Sequence, residues 1–333
     1  MKDYIQIIIV FFVFLTLIPA IALLNRSEHQ KTALPAVSSE SFEDIKSVKI
    51  YFTEEKKCKT YSLEEYMTGA VLAQMPADFE SEALKAQAVL AHTYILKRSI
   101  SEQNSPTDNL NGALISDNTE LYQGFFTEEQ AKKFYGDEYD SAYKKVKSAV
   151  EDVKNCILTY ENQPIIVAFH AISSGFTESA ETAWGEDLPY LQSVESPEDK
   201  EIDGVCVQTI LSAEELQEKL SAVYDDIDFS SEKDKSDWIF CKSDKETGYV
   251  TSVDVCGKII TSAEFIEILD ISSPCFTVQV SDSEFTFESM GYGHLVGMSQ
   301  YGANSMAESG KNYSDILNRY FTGCKVISCA DKK

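Results

Sequence analysis

Positive charge is scarce in this 333-residue chain: 29 Lys and Arg stand against 54 Asp and Glu, a formal net charge of −25. An acidic surface repels phosphate backbones and anionic lipid headgroups. That excludes nucleic acid as the main partner and a membrane contact held by charge alone. Paired thiols are missing as well. None of the eight cysteines forms a C-x2-C pair, and the nearest two, Cys324 and Cys329, have no histidine beside them. A thiol oxidoreductase centre is thereby excluded, and a zinc ribbon disfavoured. The cysteines suit an oxidising compartment, as isolated buried thiols plus one or two disulfides. Cys206, Cys241, Cys256 and Cys275 share one stretch, so disulfides are expected to concentrate there. No internal repeat is evident.

What is present suffices for a substantial core, because 44% of the residues are hydrophobic and 11% aromatic. Tyr4 to Asn25 carries no charge and is dominated by Ile, Val, Phe and Leu. At 1.5 Å per residue it crosses a hydrocarbon core of roughly 30 Å. Ala20-Ile21-Ala22 offers a cleavage site for a signal peptide, whereas the uninterrupted length favours a retained anchor. Either way the main domain is expected outside the cytoplasm. Residues 26–45 are polar, include Val37-Ser38-Ser39-Glu40-Ser41, and read as a tether.

Beyond the tether, alternation predicts a strand over Val48–Phe52, and Ser62-Leu63-Glu64-Glu65 predicts a capping box opening a helix to about Met75. Pro76 ends that helix. Helical spacing predicts a longer helix over Ser81–Ile100, then a loop over Gly112–Phe126 and helices over Glu128–Phe134 and Tyr139–Asp152. Ile157–Tyr160 and Ile165–His170 read as a hairpin turning at Asn162-Gln163-Pro164. Residues 198–287 form an acidic second lobe with a helix over Ala213–Ser221 and strands near Val250–Val255 and Phe276–Val280. Helices over Ser299–Ser309 and Tyr313–Phe321 close the chain. Strands and helices mix without regular alternation, which predicts an α+β fold: a mixed sheet and helices in one large domain, residues 46–327, after an N-terminal transmembrane helix.

Three segments carry candidate chemistry. In Glu65-Tyr66-Met67-Thr68-Gly69-Ala70-Val71-Leu72-Ala73-Gln74-Met75-Pro76, the proline places Gln74 in the last helical turn. Lys85 and Gln87 follow on an otherwise small, apolar helix. In Phe169-His170-Ala171-Ile172-Ser173-Ser174-Gly175-Phe176-Thr177-Glu178, a histidine closes a strand and enters a turn whose hydroxyls and amides can be offered to a ligand. Trp184 and Tyr190 downstream can stack on sugar faces or fill a core. In Gly291-Tyr292-Gly293-His294-Leu295-Val296-Gly297-Met298-Ser299-Gln300-Tyr301-Gly302, glycines allow close backbone approach at a helix start. This segment lacks the spacing and the Lys-Ser/Thr of a phosphate-binding loop.

In this order the segments resemble the stage II sporulation protein D family and its amidase-enhancer relatives. The family patterns run roughly E-Y-x-x-G-V-x-A-E-M-P with E-A-L-K-A-Q-A-x-A-A-R-T-Y, then H-S-T-S-G-G-x-T, then G-H-G-V-G-M-S-Q-Y-G-A. The likeness spans about residues 46–327 and is weakest over 198–287. It implies action on peptidoglycan glycan strands outside the cytoplasm during spore engulfment, as a lytic transglycosylase working beside a cell-wall amidase and other engulfment membrane proteins. One glutamic acid of A-E-M-P is implied to protonate the glycosidic oxygen and then to take the proton of the sugar 6-hydroxyl. Gln74 occupies that position here, and an amide has no proton to transfer in the useful range. Gln87, His170, Ser173, Ser174, His294 and Gln300 are the implied substrate-binding residues. A second implication is a non-catalytic scaffold that recruits or activates the amidase.

Other departures are His92 for the pattern's arginine, Leu295 for a glycine, and Ala171-Ile172 for Ser-Thr. Some relatives carry zinc on a C-x5-C pair with nearby histidines. Ser116, Leu121 and Tyr122 stand at the matching positions, so no metal or other cofactor is expected.

Overall fold

The computed structural model describes residues 45–202, 206–229, 234–281 and 284–329. The apolar Tyr4–Asn25 stretch and the tether up to residue 44 fall outside them. Among the described residues, no helix is long and apolar enough to cross a membrane. The fold mixes helices with several small sheets, as the α+β expectation requires. The described residues divide into two compact units, one of residues 45–168 and 303–329, the other within Phe169–Gly302.

In the first unit, the strand Ser47–Phe52 sits centrally in a three-stranded sheet. It pairs antiparallel with Lys57–Ser62, Ile50 facing Lys59, and parallel with Ile115–Ser116, a short strand inside the expected Gly112–Phe126 loop. The capping box at Ser62 forms as predicted. The Glu65 N–H donates to Ser62 Oγ (3.2 Å) and the Ser62 N–H donates to Glu65 Oε2 (2.7 Å). The helix runs Leu63–Gln74 and stops where Met75 turns extended ahead of Pro76.

The following helix, Ser81–Asn104, is buried from Ala83 to Leu96 except at Lys85 and Tyr94, which are part-exposed. Alanines at 83, 86, 88 and 91 keep its girth small, so neighbouring helices approach closely and it becomes the centre of the core. Lys85 is accounted for by an ion pair on each side, to Glu82 (2.8 Å) and Asp152 (2.9 Å).

Gly69 shows how tightly the loop before Thr127 is fitted to the first helix. A Cβ there would lie 2.4 Å from both the Phe125 ring and the Phe126 carbonyl oxygen, and the Phe126 N–H donates to the Gly69 carbonyl (3.1 Å). Gly69→Ala is therefore expected to destabilise the protein by about 1–3 kcal/mol through overpacking, despite alanine's better helix propensity. Thermal unfolding of the variant checks it.

The hairpin expected over residues 157–170 forms differently. Cys156–Tyr160 pairs with Gln163–Pro164 alone, and the turn is Glu161-Asn162, both at positive φ (50° and 61°). Pro164 has no N–H to extend the ladder. Phe169–His170 instead pairs in parallel with Met298–Ser299, within the second unit. The other edge of Cys156–Tyr160 pairs with Lys325–Ser328, antiparallel.

The second unit contains two three-stranded antiparallel sheets. One is ordered Phe276–Ser281, Glu284–Met290, Cys206–Ser212; the other is Lys258–Thr261, Val250–Val255, Ile239–Ser243. The helices Ala213–Ser221 and Ser262–Leu269 open on capping boxes at Ser212 and Thr261. Their apolar faces meet the sheets in a core around Leu216, Trp238, Phe265, Phe276, Phe285 and Phe287, with Trp238 stacked on Phe285 at 5.8 Å between ring centroids. Cys206, Cys241 and Cys275 are free thiols, so the disulfides expected along that stretch do not form.

Candidate functional site

Position 74 is built from the end of the first helix, the middle of the second and a loop. Gln74 is buried, and its Oε1 accepts from Gln123 Nε2 (2.8 Å) and, more distantly, from Gln87 Nε2 (3.5 Å). Gln87 reaches it because the helix Ser81–Asn104 is nearly all alanine and leucine at that level. Gln123 is held in turn from two sides. Its Oε1 accepts from the Tyr66 hydroxyl (3.0 Å), and its backbone N–H donates to the Tyr94 oxygen (3.2 Å). Burial keeps both phenols protonated, pushing Tyr94 up to about 12 and Tyr66 well above its ordinary value. The result is a chain of three buried side-chain amides with the Tyr66 phenol behind them.

The nearby acids are placed elsewhere. Asp78 and Glu80 are exposed. Glu82 is occupied by Lys85 through Oε1 and by the Tyr313 N–H through Oε2 (2.9 Å). His92, where the family pattern has arginine, is buried with Nδ1 3.0 Å from the Cys156 carbonyl.

The other sequence-predicted residues lie in the second unit. His170 Nδ1–H donates to the Val296 carbonyl (3.2 Å), and its Nε2 is buried with no partner. His294 Nδ1 accepts from the Val296 N–H (3.0 Å). The two rings meet edge-on at 6.2 Å, and Trp184 stands 5.4 Å from His294. Burial holds both histidines neutral, His170 down to about 3 and His294 to about 4.

Two glycines explain why the third motif packs so closely here. A Cβ at Gly293 (φ 101°) would sit 3.2 Å from His170 Cβ, and one at Gly291 (φ 85°) would sit 2.9 Å from the Ile172 carbonyl oxygen. Leu295, where the pattern has glycine, keeps a left-handed φ of 61°. That conformation costs a non-glycine residue roughly 1–2 kcal/mol.

Ser173, Ser174 and Gln300 are placed by internal contacts. Ser173 donates through its N–H (2.9 Å) and its hydroxyl (2.5 Å) to Asp199 Oδ2, while Ser299 Oγ donates to Asp199 Oδ1 (2.8 Å). Asp199 is fully buried and ties the second motif to the third. Ser174 Oγ donates to the Tyr249 hydroxyl (3.1 Å), which donates onward to the Phe176 carbonyl. Gln300 is buried at the first position of the helix Gln300–Glu308. Glu178, within the second motif, is 6% exposed and accepts the Ser179 N–H on Oε1 (2.7 Å). Burial, reinforced by Asp244, raises it to about 7.

Gln123, Asp199, Glu178 and Tyr249 were not singled out from the sequence. Only Glu178 lay inside a quoted motif. Gln123 and Asp199 gain their partners by long-range packing that spacing does not reveal.

Comparison with known proteins gives these segments a family. The Stage II sporulation protein model matches residues 51–160. Stage II sporulation protein D of Bacillus subtilis (strain 168) is 36% identical over 304 residues, covering 90% of this chain and 85% of that protein. The chain belongs to the stage II sporulation protein D family. Its counterpart in Bacillus amyloliquefaciens is 36% identical over 281 residues, covering 84% and 78%. The Amidase enhancer of Bacillus subtilis (strain 168) is 26% identical over 315 residues, covering 79% of this chain and 40% of that protein.

Against the zinc site of some sporulation protein D relatives, the residues here do not fit. Ser116 Oγ accepts the Asn118 N–H (3.3 Å), Leu121 has no donor atom, and the Tyr122 ring lies under the Arg98 guanidinium at 5.3 Å.

Proposed function

We infer that this sporulation protein D family member binds peptidoglycan glycan strands, and that position 74 contributes hydrogen bonding without proton transfer. The observation that carries this reading is the amide network: Gln74 is bonded to Gln123 and Gln87, with the Tyr66 phenol behind them. Glycosidic cleavage of this type needs a proton delivered to the leaving oxygen by a group with an accessible acidic form. A carboxamide offers none. Gln87, His170, Ser173, Ser174, His294 and Gln300 are read as contributing to strand binding, directly or by shaping the turns that do. The amidase-enhancer relative supports a scaffold role in which bound strands are presented to a cell-wall amidase. The Tyr4–Asn25 stretch supports membrane anchorage, with the remainder outside the cytoplasm beside other engulfment proteins.

Purified, peptide-free glycan strands incubated with the full chain test the reading. Strands are expected to bind and to remain uncut. Release of anhydro-ended products would sink the non-catalytic assignment.

One observation favours a second reading, cleavage retained through another carboxyl. Glu178 lies in the His170 motif and ionises near neutrality, at about 7. On that reading anhydro-ended products form and Glu178→Gln abolishes them.

A further inference from the structure

The second unit, Phe169–Gly302, contains no arginine, and its few lysines stand among a large excess of aspartate and glutamate. Such a surface repels an anionic ligand except where a cation is placed. One of these lysines is seated on the second motif. Lys200 leaves the short 3-10 helix Pro197–Glu201 and lays its stem across the Gly175 turn. A Cβ at Gly175 would collide with Lys200 Cε and come within 2.8 Å of Cδ and 2.9 Å of Cγ. The seat therefore exists only because position 175 is glycine, at a φ of 108°. The turn beneath is fixed, because the Gly175 N–H donates to Ser173 Oγ (3.1 Å) and the Gly175 carbonyl accepts from the Ser196 N–H (2.9 Å).

Beyond the seat, the Lys200 ammonium stands over the Phe176 ring, 5.3 Å from its centroid. An aromatic face steadies a cation without neutralising it. Lys200 remains exposed, and among the described residues no carboxylate forms an ion pair with it, its helix neighbours Glu198 and Glu201 included. Lys258, in the same unit, is by contrast held by both oxygens of Asp226 (2.6 and 2.7 Å). Packing accounts for the Lys200 stem, which a methionine would replace, but not for the unpaired charge at its end.

A glycan strand supplies the matching anion once its peptides are gone. Hydrolysis of the amide that joins a stem peptide to the strand leaves a carboxylate on the lactyl group of the muramoyl sugar. A peptide-bearing strand has a neutral amide at that place. We propose that Lys200 binds the lactyl carboxylate of peptide-free glycan strands, and so favours strands that a cell-wall amidase has already stripped. This role of Lys200 rests on the reading of the protein as a glycan-strand binder.

The test compares two probes on the full chain: purified peptide-free strands, and the same strands with their carboxyls converted to methylamides by carbodiimide coupling. The parent protein is expected to bind the carboxylate form about three- to tenfold more tightly, the worth of one charged hydrogen bond at a part-open site. Added salt should shrink that difference. Lys200→Met keeps the stem over Gly175 and should lose the preference, whereas Lys200→Arg keeps the charge and should retain it. Equal binding of both forms by the parent would overturn the proposal without any variant and leave the strand reading standing. A preference undiminished in a folded Lys200→Met protein would overturn it too. Binding of neither form by the parent would remove the strand reading and the role of Lys200 with it.

Discussion

Replacing Asp199 by alanine is expected to destabilise the protein by about 3–5 kcal/mol, the usual cost of removing one member of a buried charged network. The carboxyl is fully buried and receives the Ser173 N–H, the Ser173 hydroxyl and the Ser299 hydroxyl. Alanine leaves these donors, and the Ser196 side chain that also bonds the carboxyl, without their acceptor and opens a void beside them. The Ser173 hydroxyl also accepts the Gly175 N–H (3.1 Å), and Ser299 Oγ accepts the Gly302 N–H (3.1 Å), so the loss spreads into two motifs. Asp199→Asn keeps one acceptor oxygen and should cost about half as much. Denaturant unfolding of both variants checks the order. A shift below 1 kcal/mol for the alanine variant would mean that the carboxyl is not the tie it is taken to be.

Glu178→Gln should stabilise the protein at pH 8 by about 3 kcal/mol and have almost no effect near pH 4.5. Burial raises the folded-state value from 4.5 to about 7, so the folded protein holds this proton more tightly than the unfolded chain does. The stabilising contribution of the neutral acid is complete below pH 4.5. It fades as pH climbs and is lost once pH passes 7. A glutamine keeps an oxygen for the Ser179 N–H and has no charge to desolvate. Melting temperatures of the two proteins across pH 4.5 to 8 should therefore diverge steadily. Parallel curves would show that Glu178 ionises at its ordinary value and would weaken the case for cleavage through it.

The histidines oppose this trend on the acid side. Burial lowers both, so their neutral forms stabilise the fold above about pH 6.5 and that contribution is lost as pH falls towards 4 and 3. Below pH 6.5 the two histidines outweigh the single carboxyl, so together these groups place the second unit's greatest stability at about pH 6.5 to 7.

How much of this was legible depends on how local the signal is. Ser62 and Glu65 sit three residues apart, so the first capping box could be read directly, and the helix ended at Pro76 as its chemistry requires. Ala213–Ser221 followed from the same kind of short-range pattern. The hairpin at residues 157–170 was misread because strand pairing is not local. Phe169–His170 has apolar and aromatic character suited to a strand, yet its partner is Met298–Ser299, far along the chain. The site behaves likewise. Gln74 could be located from the motif around it, whereas Gln123 lies 49 residues away in a segment whose only visible property was its lack of metal ligands. Asp199 sits in an acidic run indistinguishable by composition from a solvated loop, and only packing reveals it as buried. The glycines of the third motif were read as allowing close approach. They do, but towards the His170 turn of the same unit.

The amide at position 74 is proposed to grip a glycan strand. Affinity of the full chain for purified, peptide-free strands, measured beside Gln74→Met, tests this most directly. Binding by the parent chain, weakened about tenfold or more in a variant whose melting temperature is nearly unchanged, is the predicted result. Equal affinity in both proteins, or none in either, would contradict it.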